Sequence, residues 1–238
     1  MDLATYQQLA AKLIGRPFKD PQLLQTAFTH CSYLNEHRRD AKEHNERLEF
    51  LGDAVLEIVV TEHLYLNYQH PEGILTNWRA ALVRTESLAA AAKKLDFIDY
   101  LRLSKGERRS SARSREQILA NAFEAVIGAV YLDQGYGTAA KFIHKHITST
   151  LDGILQAGSW LDAKTRFQEH VQSTEGQTPV YRVLAEEGPD HDKSFSIGVY
   201  VNDQLLGSGK GYSKQAAQQA AAEAALRAQN VKPPSVDN

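Results

Sequence analysis

A single cysteine, Cys31, stands in 238 residues. No disulfide can therefore form within the chain, and no cysteine-rich zinc site can be built. A lone thiol of this kind reads as a small buried hydrophobe in a reducing compartment, so a cytoplasmic protein is expected. Long apolar runs are missing too: nothing reaches the roughly 18 residues that a membrane-spanning helix needs. The opening of the chain lacks the charged, apolar and small-residue order of a secretory signal. An excess of one charge is also absent, with a net charge of −2. Cutting the sequence at Asp162 leaves both parts close to neutral, so a polyanion would have to be held by local clusters. One candidate is LRLSKGERRSSARSREQ, where Arg102, Lys105, Arg108, Arg109, Arg113 and Arg115 face Glu107 and Glu116. Alone, such a run reads as a solvated basic loop.

What remains is 42% hydrophobic and 24% charged, the balance of a globular chain long enough for one large domain or two unequal ones. Helical periodicity dominates the first 153 residues, and no alternating strand pattern stands out before residue 160. Asp20-Pro21 opens a helix-like run, PQLLQTAFTHCSYLN. Residues 154–161 read as a linker. Beyond it the grammar changes. Asp162 caps a helix over AKTRFQEHVQS, and two alternating segments, VYRVLAEE and KSFSIGVYVN, follow. In the second of these, Phe195, Ile197, Val199 and Val201 share a face. Asn202-Asp203 turns into a third strand, QLLGSGKG, and Ser213 caps an alanine-driven helix. The order over 162–230 is α-β-β-β-α, and residues 231–238 read as a disordered tail. The expected fold is an all-α domain over 1–153 followed by a small α+β domain.

The segment HNERLEFLGDAVLE carries the chemistry. At about 100° per residue, Glu46, Glu49, Asp53 and Glu57 form one stripe on a helix that is otherwise apolar. A solvated acidic face would be wider than this seam, and buried carboxylates need partners. A second helix, QILANAFEAVIGAVYLD, repeats the pattern, with Gln117, Asn121 and Glu124 on a stripe that Gly128 continues. Two such seams facing each other would suit a hard divalent cation with oxygen ligands, and phosphodiester hydrolysis.

NERLEFLGDAVL resembles the signature of the ribonuclease III family, the double-strand-specific endoribonucleases of bacteria. THCSYLNE, EGILTNWRAALV and ILANAFEAVIGAVYLD match its other motifs in order. The C-terminal unit, with KTRFQE and GSGKGYSKQAAQQAAAEAAL, looks like a double-stranded-RNA-binding domain. The resemblance implies an all-α endonuclease domain, and it implies Glu49, Asp53 and Glu124 as ligands of catalytic Mg2+, with Mn2+ able to substitute. Asp53 and Glu124 are its catalytic pair, and Asn121 stands at a ligand position where many members have aspartate. It places Glu46 and Glu72 near the scissile strand and Phe50 at the contact between two subunits of a homodimer. It implies cleavage of one strand per subunit, short 3′ overhangs, and a part in processing rRNA precursors and mRNA. No membrane and no small-molecule cofactor is implied.

In the RNA-binding half the resemblance assigns Thr165, Gln168 and Glu169 to one minor groove and His191 to the next. Lys210 and Lys214 are assigned to phosphates together with the N-terminus of the last helix, whose dipole and backbone N–H groups also attract anions. Two rival readings stay open: a duplex-RNA-binding protein with weak or no cleavage, because Asn121 is uncharged, and a phosphohydrolase acting on small phosphates.

Overall fold

In the computed structural model the described residues are 1–37, 42–189 and 193–231. His191 and the tail beyond Val231 lie outside them. The chain folds as two units, Met1–Gly153 and Ile154–Asn238.

The first unit is helical: α1 (Leu3–Ile14), α2 (Pro21–Ala27), α3 (Cys31–Glu36), α4 (Glu46–Asn67), α5 (Glu72–Val83), α6 (Thr85–Lys94), α7 (Ala112–Gln134), α8 (Tyr136–His146) and α9 (Leu151–Gln156). The last of these makes Ile154–Gln156, within the expected linker, helical. Asp20 caps α2, its carboxylate accepting the Gln22 N–H at 2.9 Å. The expected single helix over PQLLQTAFTHCSYLN is two, broken at Phe28–His30. There the backbone pairs with a distant segment instead: Arg102 N–H donates to Phe28 O at 2.8 Å, and His30 N–H donates to Arg102 O at 3.1 Å. Thr29 and Arg102 thereby form an isolated parallel bridge. Arg102 also leaves the expected basic loop. It is buried, donates to Thr29 Oγ1 at 3.1 Å and stacks 4.4 Å from the Tyr33 ring centroid.

The long helices α4 and α7 form the spine. Leu56, Val59 and Val60 of α4 and Ala122, Phe123, Val126 and Ile127 of α7 are fully shielded from solvent. Their backbones touch where they cross. A Cβ on Gly52 would overlap the carbonyl oxygen of Glu124, and one on Gly128 would overlap that of Leu48. Only glycine permits that approach. At the far end of α7, the buried Asp133 carboxylate accepts the N–H groups of Lys19 and Asp20 at 2.9 and 2.8 Å, fastening the entry to α2.

The second unit is α10 (Ala163–Glu175), β1 (Val180–Glu187), β2 (Ser194–Val201), β3 (Gln204–Gly211) and α11 (Lys214–Ala228), with an antiparallel sheet in the order β1-β2-β3. Asn202 and Asp203 both have positive φ, 48° and 61°, as a tight hairpin of twisted strands demands. Ile197, Val199 and Val201 bury one sheet face against Phe167 and Val171 of α10 and Ala217, Ala221 and Ala225 of α11. Small residues on α11 let that helix lie close on β3. Asp162 and Ser213 cap the two helices through the Thr165 and Ala216 N–H groups, at 3.0 and 3.1 Å.

The helix crossing yields a sharp expectation. Gly52→Ala and Gly128→Ala should each destabilise the helical unit by at least the ~1–3 kcal/mol typical of an overpacked core. Gly137→Ala on α8, where a Cβ meets nothing within 4 Å, should change stability by no more than about 1 kcal/mol, in the stabilising direction. Urea unfolding midpoints of the three variants measure this, and equal midpoints would refute it.

Candidate functional site

The glycine crossing brings one turn of α4 against one turn of α7, and the acidic seams meet there. Glu46, Glu49 and Asp53 come from α4, Asn121 and Glu124 from α7. Glu124 is the most affected. Burial, then the charges of Asp53 and Glu49, push its carboxyl from an ordinary 4.5 up to about 8. Glu49 is also raised, by burial first and then by Glu46, with Asp53 adding to it and a hydrogen bond from the Asn121 side chain opposing. A carboxylate only accepts, so Asn121 turns its amide nitrogen to Glu49. Its Oδ1 accepts from Gln117 Nε2 at 2.7 Å. Gln117 was visible in the sequence only as a polar residue on the same stripe.

Among the described residues no three His, Cys, Asp or Glu side chains are gathered into a metal-holding group. The donors are nonetheless of the right kind. They are hard oxygens, half-buried at Glu49, Asn121 and Glu124 and exposed at Asp53, with like charges one turn apart and no cationic side chain bonded to Glu49, Asp53 or Glu124 among the described residues. A divalent cation fits that donor set.

The other sequence-assigned residues are placed less centrally. Glu46 is flanked by His44, whose Nδ1 lies 3.8 Å from Glu46 Oε2. Cys31 is half-buried, and its thiol is raised by burial and by Glu46, the reverse of a reactive thiolate. Glu72 opens α5, and among the described residues no hydrogen bond or ion pair joins it to the cluster. Glu57 belongs to the stripe by spacing only. It pairs with Arg79 Nε of α5 at 3.2 Å, and Arg79 also donates to Thr61. Phe50 is 82% exposed.

In the second unit Gln168 and Glu169 are exposed on α10, one turn from Thr165, whose hydroxyl donates to Asp162 at 2.6 Å. Lys210 and Lys214 reach solvent from the end of β3 and the start of α11. Gln218 does not face outward alone: its Oε1 accepts from Lys164 Nζ at 3.0 Å, tying α11 to α10.

The raised Glu124 carboxyl has a pH consequence. A folded-state value above the unfolded one means that the native state holds more protons between about 4.5 and about 8. Stability without metal is then greatest below that window and falls as pH rises through it. In chelator, the melting temperature should drop from pH 5 to pH 8, and Glu124→Gln should flatten the drop. A wild-type slope unchanged in the variant would refute the assignment.

Comparison with known proteins agrees with this geometry. Residues 20–151 match the ribonuclease-III-like family model, and residues 163–229 match the double-stranded RNA binding motif. Ribonuclease 3 of Enterococcus faecalis is 49% identical over 217 residues, covering 90% of this chain and 93% of its own length. Ribonuclease 3 of Protochlamydia amoebophila is 48% identical over 219 residues, covering 92% and 89%. The solved nuclease domain of the Campylobacter jejuni ribonuclease III, studied for flexibility in a region of dimer formation, superposes with a TM-score of 0.52 at 38% identity. It covers 59% of this chain and 96% of its own. Two family models in the order of the two structural units, and close relatives aligned over nearly the full length, establish that this chain belongs to the ribonuclease III family of endoribonucleases.

Proposed function

We propose that the chain hydrolyses double-stranded RNA as a Mg2+-dependent homodimer, cutting one strand per subunit and leaving short 3′ overhangs. The observation that carries the reading is the meeting of two carboxylate seams at the Gly52–Gly128 crossing, in a chain that also has a double-stranded RNA binding motif. Glu49, Asp53 and Glu124 would hold the cation, with Asn121 orienting Glu49. When bound, the cation activates water and offsets charge on the leaving oxygen. Glu46 and Glu72 accept hydrogen bonds from ribose hydroxyls of the scissile strand, a role open to carboxylates but not to lysines. Thr165, Gln168 and Glu169 read minor-groove hydroxyls, while Lys210 and Lys214 meet phosphates. rRNA precursors and mRNAs in the cytoplasm are the proposed substrates.

Dimerisation rests on Phe50. It projects from α4 at a concavity of about 610 Å³ that it lines together with Leu23, Leu48, Leu51 and Leu132 and with the polar Glu43, His44, Glu46 and Arg47. A two-fold axis brings each projecting ring to the other subunit's hollow, which is how an isologous interface closes. An exposed phenylalanine beside the leucines of such a hollow gains most by burial.

The second reading, duplex binding with poor cleavage, is favoured by one observation: Asn121 Oδ1, the atom able to ligate a cation, is engaged by Gln117. Cleavage of a labelled duplex with Mg2+ or with EDTA separates the two. Cleavage in Mg2+ alone supports the enzyme, and an intact but bound duplex supports the binder. Glu124→Gln should lower cleavage at least ~100-fold, the order lost with a key electrostatic group, with duplex binding retained. Asn121→Asp should reduce the Mg2+ needed for half-maximal cleavage, and a flat or worse response would show a site adapted to asparagine. Phe50→Asp should convert dimer to monomer in light scattering; a variant that remains dimeric removes Phe50 from the interface.

A further inference from the structure

Three lysines in the second unit are already occupied by carboxylates of their own chain. β1 ends in Glu186-Glu187. Glu186 Oε2 lies 3.2 Å from Lys193 Nζ, just before β2, and its Oε1 lies 3.4 Å from Lys214 Nζ at the start of α11. Glu187 Oε2 lies 3.7 Å from Lys210 Nζ at the end of β3. Three separate segments thus converge on two adjacent acids. Lys214 is further steadied over the Phe195 ring, 5.6 Å from its centroid. The Glu186 carboxyl is held below its ordinary range by Lys193 and Lys214.

We propose that Glu186 and Glu187 act as internal stand-ins for RNA phosphate, gathering Lys193, Lys210 and Lys214 while damping the affinity and salt dependence of duplex binding. The inference rests on the reading of Lys210 and Lys214 as phosphate contacts. The chemistry is a competition between oxyanions. Solvent-exposed pairs of this sort are weak, so an incoming phosphate displaces the carboxylate readily. The displaced acid then stands beside a polyanion, repels it and recruits a cation from solution. That recruitment offsets part of the counterion release that drives association. The two acids offset two of the positive charges that Lys193, Lys210 and Lys214 supply. A chain close to neutrality overall holds a polyanion through local clusters, and this is one of them. The pairs therefore set binding strength locally.

The test uses the full chain in EDTA, a duplex RNA of about 20 base pairs, longer than the roughly 16 one such domain spans, and affinity measured across a salt series. Glu186→Gln with Glu187→Gln is expected to bind several-fold more tightly at low salt. Its plot of log affinity against log salt should steepen by up to about 0.9 for each lysine unmasked. Glu175→Gln with Glu223→Gln removes the same charge away from the cluster and should reproduce neither effect. Lys210→Ala with Lys214→Ala should weaken binding and flatten the slope. Unmasked variants that bind no more tightly, keep the original slope or merely match the charge control overturn the proposal, even while the lysine variants lose affinity. Lysine variants that bind normally overturn the phosphate-contact reading itself, and the proposal with it.

Discussion

The candidate site of this chain depends on a contact between two backbones. α4 and α7 cross with no side chain between them, since Gly52 faces the Glu124 carbonyl and Gly128 faces that of Leu48. Helices normally stand 8–10 Å apart, held off by side chains. Removing both side chains at one point lets the flanking turns come together, and those turns carry Glu49, Asp53, Asn121 and Glu124. The crossing is placed on rigid elements inside a shielded core rather than on loops, so the acids have little freedom to separate. Burial first, and then the charge of their neighbours, raises the carboxyls of Glu49 and Glu124. A divalent cation fits the donors that the glycines bring together.

The two units handle charge in opposite ways. In the helical unit Glu49, Asp53 and Glu124 are crowded together, Glu49 and Glu124 half-buried, with no cationic side chain bonded to them among the described residues, which suits a cation. In the RNA-binding unit acids and lysines lie together at the surface, where each pair is cheap to exchange. Opposite treatments follow from solvent access. Burial makes an unpaired charge costly, while water makes a paired one almost indifferent.

Much of this was legible in the residues. The narrow acidic stripes in NERLEFLGDAVL and ILANAFEAVIGAVYLD pointed to two seams facing each other, but α4 is less enclosed than its apolar residues suggested, since Asp53, Ala54 and Ile58 are exposed. The α-β-β-β-α order followed from alternation, from Asn202-Asp203 and from the Asp162 and Ser213 caps. Other features could not be read because they depend on partners distant in sequence. The helix expected through Thr29 breaks because Arg102, far along the chain, offers its backbone as an alternative. Glu57 looks like part of the site by spacing, yet it answers to Arg79 on α5. The orientation of Asn121 is set by Gln117 and Glu49 together, and composition does not reveal which way an amide turns. Gly128 lay on the polar line in the sequence, but its purpose depends on Gly52, in a helix some way back in the chain.

The glycine pair also bears on how such a sequence can change over time. Most core substitutions have an escape, because a neighbouring side chain can shrink to admit the newcomer. At this crossing the obstructing atoms are carbonyl oxygens, which every amino acid carries. No second substitution can trim them. The hydrophobic shell around α4 and α7 can drift in size and shape, one residue compensating another, while these two positions have no compensating route. A side chain at either position must therefore move a helix, a constraint set by the main chain itself and independent of any ligand the acids hold.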